Sequence, residues 1–237
     1  MLQVIRKFKV TKKECVTDEL CRIWLTPDDG ESLFDYVPGQ FVMVHELDED
    51  EKSVYVRSYS IASAPSELRE EIELGVKSQG KMSGMIFNAN ERDVFGVQGP
   101  YGQFKMPDEE KVVFFAGGVG VTPFRSMIRE SLNQKSAKEL LLFFSGRTKV
   151  DLLYHEEFVN LAEEYDQFTY VPILTRERSE GWIGENGRLD AEMVKRYVDD
   201  FNAGYLMCGP VEFMDHVKDI LESQGVDVAA KLRSERY

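Results

Sequence analysis

The sequence predicts two domains of different class: a β-rich half built as a sandwich or barrel, then an α/β half with a parallel sheet. Three observations predict this. Residues 2–106 carry short β-prone runs cut by turn signals at regular intervals. From Lys111 onward, β and α patterns alternate at the spacing of a helix-covered parallel sheet. Between them, Met106-Pro107-Asp108-Glu109-Glu110 is a polar, proline-containing break, which sets the domains at 1–106 and 107–237.

The bulk properties allow this and exclude several functions. With 237 residues, 43% of them hydrophobic, the chain can fill two small cores. Lys+Arg of 29 against Asp+Glu of 42 gives a net charge of −13, which speaks against nucleic acid and anionic membrane as partners. No apolar run reaches the ~20 residues a bilayer requires, and MLQVIRKFKV alternates like a strand rather than forming a signal peptide's apolar block. A cytoplasmic location is expected. Cys15, Cys21 and Cys208 are too few and too scattered for a disulfide framework or an iron–sulfur cluster. His45, His155 and His216 lie in separate segments, so no metal is expected. Any redox chemistry therefore needs an organic cofactor.

In the first half the β segments are Val4 to Thr11, Cys21 to Pro27, Gln40 to Leu47, Val54 to Ala62, Glu71 to Ser78 and Asp93 to Val97. Pro38-Gly39 is a turn that launches the third. There Val42, Met43 and Val44 are consecutive apolar residues, which suggests burial on both faces. The acidic tract Asp48-Glu49-Asp50-Glu51 suits a solvated loop tip. Arg57-Ser58-Tyr59-Ser60-Ile61-Ala62-Ser63-Ala64-Pro65 groups a guanidinium, a phenol and three hydroxyls before a proline stop. These residues could be the polar face of an edge strand. They also offer a fork for phosphate oxygens beside a ring that can stack on a planar cofactor. Residues 57 and 59 share one strand face, and 58 and 60 the other. Gly80-Lys81-Met82-Ser83-Gly84 opens a short helix, which is an ordinary helix start or a second phosphate site. Gly96 and Gly99-Pro100-Tyr101-Gly102 read as closing turns.

The second half opens on KVVFFAGGVGVTPFRSMIRESLN, Lys111 to Asn133. An apolar β run reaches a turn at Gly117, Gly118 and Gly120, and Thr122 and Pro123 suit an N-cap and first helical position. Glycines at a helix start let backbone N–H groups approach an anion. The spacing Gly118-x-Gly120-x-x-Pro123 departs from the dinucleotide fingerprint at its third glycine. By itself it suits a bound nucleotide and a plain tight turn equally. Then follow strand Glu139 to Ser145, helix His155 to Tyr165, strand Phe168 to Leu174, helix Asp190 to Val198, strand Tyr205 to Cys208, helix Val211 to Ser223, and a last strand from Val226. Ligands of such sheets sit at the carboxyl ends of the strands. That edge holds Gly117 to Thr122, Gly146-Arg147, Thr175-Arg176 and Cys208-Gly209-Pro210. Arg147, Arg176 and Arg188 could receive a 2′-phosphate where an acidic residue would accept from a free ribose hydroxyl, which favours NADP over NAD.

Taken together, the motifs resemble the ferredoxin–NADP reductase family over nearly the whole chain, without an iron–sulfur domain. Arg57-Ser58-Tyr59-Ser60-Ile61-Ala62-Ser63 matches the family's flavin motif, and Gly80-x-x-Ser83 is similar to its second flavin phosphate motif. Gly118-Val119-Gly120-Val121-Thr122-Pro123 resembles the nicotinamide nucleotide loop. Cys208-Gly209-Pro210 matches the Cys-Gly pair near the nicotinamide, and Glu235-Arg236-Tyr237 resembles the Glu-x-aromatic terminus of several members.

The resemblance implies an antiparallel Greek-key flavin-binding barrel before a Rossmann-like nucleotide-binding domain, with FAD and NADP(H) or NAD(H) as cofactors. It implies that Arg57 and Ser83 hold the flavin pyrophosphate, with Ser63, Val76, Gly80, Lys81 and Met82 as further flavin contacts. Tyr59 would stack on the isoalloxazine and Ser60 would bond near its N5. Gly118, Gly120, Thr122, Pro123, Gly209 and Pro210 would bind the nicotinamide nucleotide. Cys208 and Glu235 would flank the reacting carbons, and Tyr237 would cover the flavin face. The activity implied is hydride transfer from NAD(P)H to FAD, then single electrons to a protein acceptor such as ferredoxin or flavodoxin. The alternatives are the reductase component of an oxygenase system, a free-flavin reductase and, outside enzymes, a nucleotide-binding regulatory module. The starting expectation for the oligomeric state is a monomer.

Overall fold

The computed structural model describes residues 4–236, which divide by packing into two units. One is the chain to Met106 together with Thr122–Gln134, and the other is Pro107–Val121 together with the chain from Lys135.

Six antiparallel strands build the first unit: β1 (Arg6–Cys15), β2 (Leu20–Pro27), β3 (Phe41–Leu47), β4 (Ser53–Ser60), β5 (Ile72–Lys77) and β6 (Val94–Tyr101), in the order β4-β3-β6-β1-β2-β5. Immediately after β4, Ile61 bridges to Leu74 of β5 and the Ala62 N–H donates to the Glu73 carbonyl at 2.8 Å. These bonds join the two ends of the sheet, so a closed barrel is formed and its edges are removed. Phe8, Ile23, Leu25, Val42, Val44, Ile61, Leu74 and Val97 fill it. Val42 and Val44 are buried while Met43 between them is only half-buried. The apolar run thus alternates after all, because one face of β3 lines the barrel and the other does not. The segment Gly99-Pro100-Tyr101, expected as a turn, continues β6, since Tyr101 pairs with Phe41. A short helix, α1 (Lys81–Asn88), buries Met82 and Ile86 against the barrel.

The second unit is a parallel sheet of β7 (Lys111–Gly117), β8 (Glu139–Gly146), β9 (Phe168–Leu174), β10 (Glu185–Asn186), β11 (Gly204–Cys208) and β12 (Leu232–Glu235), in the order β10-β9-β8-β7-β11-β12. Its strands are near-continuous apolar runs because both faces are covered. Val113, Phe115, Leu141, Phe143, Val171 and Ile173 pack with helices α4 (Ala191–Tyr197) and α5 (Val211–Ser223). On the other face, Phe144 meets Phe158 of α3 (His155–Glu164). Asp190 caps α4 by accepting from the Met193 N–H at 2.7 Å. The expected last strand from Val226 begins instead with a helical turn, α6 (Val228–Lys231), capped by Asp227, and only Leu232–Glu235 is strand.

Between β7 and the helix α2 (Thr122–Asn133) lies a 3-10 turn at Gly118–Val121. Thr122 therefore lies inside helical structure rather than capping it: Gly118, at φ +56°, turns the chain early enough for helical bonding to begin before Thr122. Helix α2 packs with the barrel although its sequence follows β7. Its Arg125 and Ser126 bond to Ala62, Ser63 and Glu67.

Candidate functional site

Each unit carries a cluster of the expected residues. In the barrel, β4 pairs with β3 so that Arg57 lies opposite Val44, Tyr59 opposite Val42 and Ser60 opposite Phe41. Arg57 is exposed, with its guanidinium carbon 4.4 Å from the Tyr55 ring centre and Nη1 donating to the Val56 carbonyl at 2.8 Å. No carboxylate pairs with it among the described residues. Lys81, at the start of α1, has its ammonium 5.2 Å from the same ring and pairs with Glu46. Two cations thus converge on Tyr55, a residue of this cluster outside the motif Arg57 to Ser63. Its signal was the period-two series Tyr55, Arg57, Tyr59.

The start of α1 is shaped by Ser83. Its hydroxyl accepts from the Gln79 and Gly80 N–H groups, each at 2.9 Å, and donates to the Gly80 carbonyl at 3.1 Å. The first N–H groups of a helix have no partner within it, and a Cβ at Gly80 or Gly84 would meet no atom within 4 Å. N–H groups at a helix start beside cations such as Arg57 and Lys81 are of the chemistry that suits phosphate. Tyr59 is half-buried against the barrel core, and burial pushes its hydroxyl pKa up, so it stays a neutral phenol. Ser60 is half-buried at the strand end. Ser63 is fully buried. Its hydroxyl accepts from the Glu73 N–H at 3.0 Å and shares a 3.0 Å bond with Tyr36, so it is held within the fold. Val76 and Met82 are core residues.

In the second unit, β7 is the topological switch point, with β8 on one side and β11 on the other. There the backbones approach more closely than side chains permit. A Cβ on Gly120 would lie 2.3 Å from the Cys208 carbonyl oxygen, and one on Gly117 would lie 3.0 Å from Pro210 Cδ. Ala116, Cys208 and Glu235 stand in one row across β7, β11 and β12. Cys208 is buried, and burial together with the Glu235 charge pushes its thiol pKa up, so it remains protonated at neutral pH. Thr122 and Pro123 are buried at the start of α2, Gly209 is buried, and Pro210 is exposed ahead of α5. At the ends of β8 and β9, the Arg176 N–H donates to the Arg147 carbonyl at 3.0 Å, which zips the two loops together. Both arginines are exposed. Tyr237 lies outside the described residues.

Residues 7–106 match the family model described as an oxidoreductase FAD-binding domain, and residues 114–219 match the one described as an oxidoreductase NAD-binding domain. Together these matches span most of the chain, which carries an oxidoreductase FAD-binding domain followed by an oxidoreductase NAD-binding domain. The glycine betaine monooxygenase reductase subunit of Pseudomonas aeruginosa is 34% identical over 208 residues, which cover 85% of this chain and 56% of that one. The flavohemoprotein of Bacillus cereus is 28% identical over 235 residues, 93% of this chain and 58% of that one. The chain thus spans a little over half the length of these relatives. A ferredoxin NADP+ reductase from Neisseria gonorrhoeae, solved with FAD and NADP, superposes with a TM-score of 0.81 at 18% identity over 98% of both chains, a likeness of fold. Among the described residues no cluster of side chains could hold a metal ion.

The residues present fit FAD and a nicotinamide nucleotide: Arg57, Lys81 and the open start of α1 suit a pyrophosphate, and the glycine turn at β7 leaves room only for backbone. Gly120→Ala should destabilise the chain by about 1–3 kcal/mol through overpacking against the Cys208 backbone. Gly84→Ala, inside α1 and facing open space, should be neutral or stabilising by about 0.4–1 kcal/mol. Urea unfolding of the two variants checks the contrast. Thiol labelling at pH 8 followed by mass spectrometry should find exposed Cys15 modified first. Cys21, whose pKa burial raises to about 12, and Cys208 should stay protected until the chain unfolds.

Proposed function

We propose that this chain is a reductase module that takes hydride from NAD(P)H, with NADPH favoured, onto FAD and passes electrons singly to a protein acceptor. The observation that carries the reading is the cluster at Tyr55, where Arg57, free of carboxylates among the described residues, and the start of α1 face open space. Bound FAD supplies the redox chemistry, accepting two electrons as hydride and releasing them one at a time.

The chain's own residues bind, orient and exclude water. Arg57 would hold the flavin's phosphate oxygens together with the N–H groups at the start of α1. The neutral phenol of Tyr59 offers a ring face for stacking, and the Ser60 hydroxyl can donate or accept as protonation at the flavin changes. Gly118, Gly120 and Thr122 let the nucleotide approach backbone N–H groups. Cys208, held as a thiol, gives an uncharged polarisable wall, and Glu235 stands in the same row. Exposed Arg147 and Arg176 supply positive charge for a 2′-phosphate, which is what favours NADPH.

For the acceptor, the names of the relatives support an oxygenase component or a haem partner ahead of ferredoxin or flavodoxin. The reading also places the chain in the cytoplasm, in keeping with three unpaired cysteines. No helix among the described residues is long and apolar enough to cross a membrane. The test is electron delivery by the FAD-loaded chain to an oxygenase component, ferredoxin, flavodoxin and free flavin. Faster reduction of a protein than of free flavin supports the reading, and reduction of free flavin alone overturns it.

Arg57→Ala should weaken FAD binding by about tenfold or more, since a hydrogen bond to a charged group contributes about 1.5–3 kcal/mol. Flavin content after gel filtration measures this. Arg147→Ala combined with Arg176→Ala should raise KM for NADPH by about tenfold and leave KM for NADH unchanged, as expected for loss of contacts to one phosphate.

A further inference from the structure

The hairpin of β1 and β2, wholly inside the barrel unit, brings two cysteines face to face. Cys15 pairs directly with Cys21 across the ladder, and behind them Glu14 lies opposite Arg22 and Lys13 opposite Ile23. Residues opposed in this way project from the same face of the sheet. One position nearer the turn, the Val16 N–H donates to the Leu20 carbonyl at 2.8 Å. Bonded and non-bonded pairs alternate along an antiparallel ladder, so Cys15 and Cys21 form a non-bonded pair, the kind whose side chains approach more closely. Such a pair has its Cα atoms about 4.5 Å apart, within the range of roughly 4.4–6.8 Å that a disulfide spans.

The two thiols differ in access. Cys15 is exposed, whereas Cys21 is 0% exposed in the barrel core, with Val76 of β5 opposite it on the other side. Burial raises the Cys21 pKa to about 12; Cys15 adds to the rise and the Lys13 ammonium opposes it. Lys13 shares the face of β1 that carries Cys15, and its ammonium bonds the Phe87 and Ala89 carbonyls at the end of α1, at 2.6 and 2.5 Å. A reagent in solution therefore meets Cys15 first. The group placed to reach Cys21 is Cys15 itself. The turn between them, residues 16–19, is largely exposed and can yield to the small movement that bond formation requires.

We propose that Cys15 and Cys21 are a reversible oxidation site, a dithiol that low-molecular-weight disulfides such as oxidised glutathione convert into a cross-strand disulfide. The Cys15 thiolate attacks one sulfur of the oxidant, which forms a mixed disulfide and releases one thiolate. Cys21 then gives its proton to water and attacks the Cys15 sulfur, which forms the cross-strand bond and releases the second thiolate. The chain loses two electrons and two protons, and the oxidant gains them as two thiols. The second step is the slower one, because burial keeps Cys21 protonated. In a reducing compartment such pairs act as transient or redox-sensing couples rather than as permanent cross-links. The site is independent of the reductase reading, since it uses only the hairpin.

The test incubates the folded full chain in buffers of graded oxidised and reduced glutathione, quenches with acid, digests with trypsin and weighs the peptides. Cleavage after Lys13 and Arg22 leaves Glu14–Arg22, a peptide that holds both cysteines and no other. That peptide should become lighter by two hydrogens as the oxidised fraction rises, and dithiothreitol should restore its mass. Cys21→Ala should stop at a Cys15–glutathione mixed disulfide, and Cys15→Ser should leave Cys21 unmodified. In the parent chain, a peptide that stays at the mixed disulfide overturns the proposal, as does one that keeps its mass throughout. Chains joined to one another through Cys15 overturn it as well. If a variant does not fold, the mass of the parent peptide decides alone.

Discussion

The close approach of the backbones after β7 and β11 is the constraint on which the nucleotide unit depends. Gly120 lies against the Cys208 carbonyl, where no side chain fits, and Gly117 and Gly209 are in contact across the same line. This approach follows from sheet order. With β7 in the middle, the chain leaves it toward β8 on one side and returns at β11 on the other, so a crevice opens at the carboxyl ends. Glycine at these positions lets the two turns meet, because a Cβ there would strike the facing chain. The same register sets Cys208 beside Glu235, two groups of different chemistry delivered to one row by two strands.

The barrel solves a different problem. Its closure through Ile61 and Leu74 fixes where β4 ends, and that end carries the residues able to meet a phosphate and a planar ring. Arg57 is held over Tyr55 rather than tied to a carboxylate, so its charge stays available. Ser83 serves the same purpose from inside the fold, because its three hydrogen bonds hold the start of α1 in the shape that exposes N–H groups.

Much of this was legible in the sequence, for physical reasons. Alternating patterns, turn residues and the polar break at Met106 marked most strands, and β7 with its glycine turn could be read from the contrast of apolar run and glycines. What could not be read depends on partners distant in the chain. The alternating burial of Val42 and Val44 around Met43 is set by barrel closure, and the extension of β6 through Tyr101 by its pairing with Phe41. The grouping of α2 with the barrel rests on Arg125 meeting Glu67 and Glu73, 58 and 52 positions away, and spacing in sequence carries no sign of such a pairing. Ser63 illustrates the converse: it belongs to a recognisable motif, yet its hydroxyl is engaged by Glu73 and Tyr36 within the fold.

A chain with docks for both a flavin and a nicotinamide nucleotide should pass hydride from one to the other. Anaerobic mixing of the FAD-loaded chain with NADPH, and separately with NADH, in a stopped-flow spectrometer tests it most directly. The yellow flavin absorbance should bleach within the mixing experiment, faster with NADPH. A chain that binds FAD yet keeps its full colour with both nucleotides would contradict it.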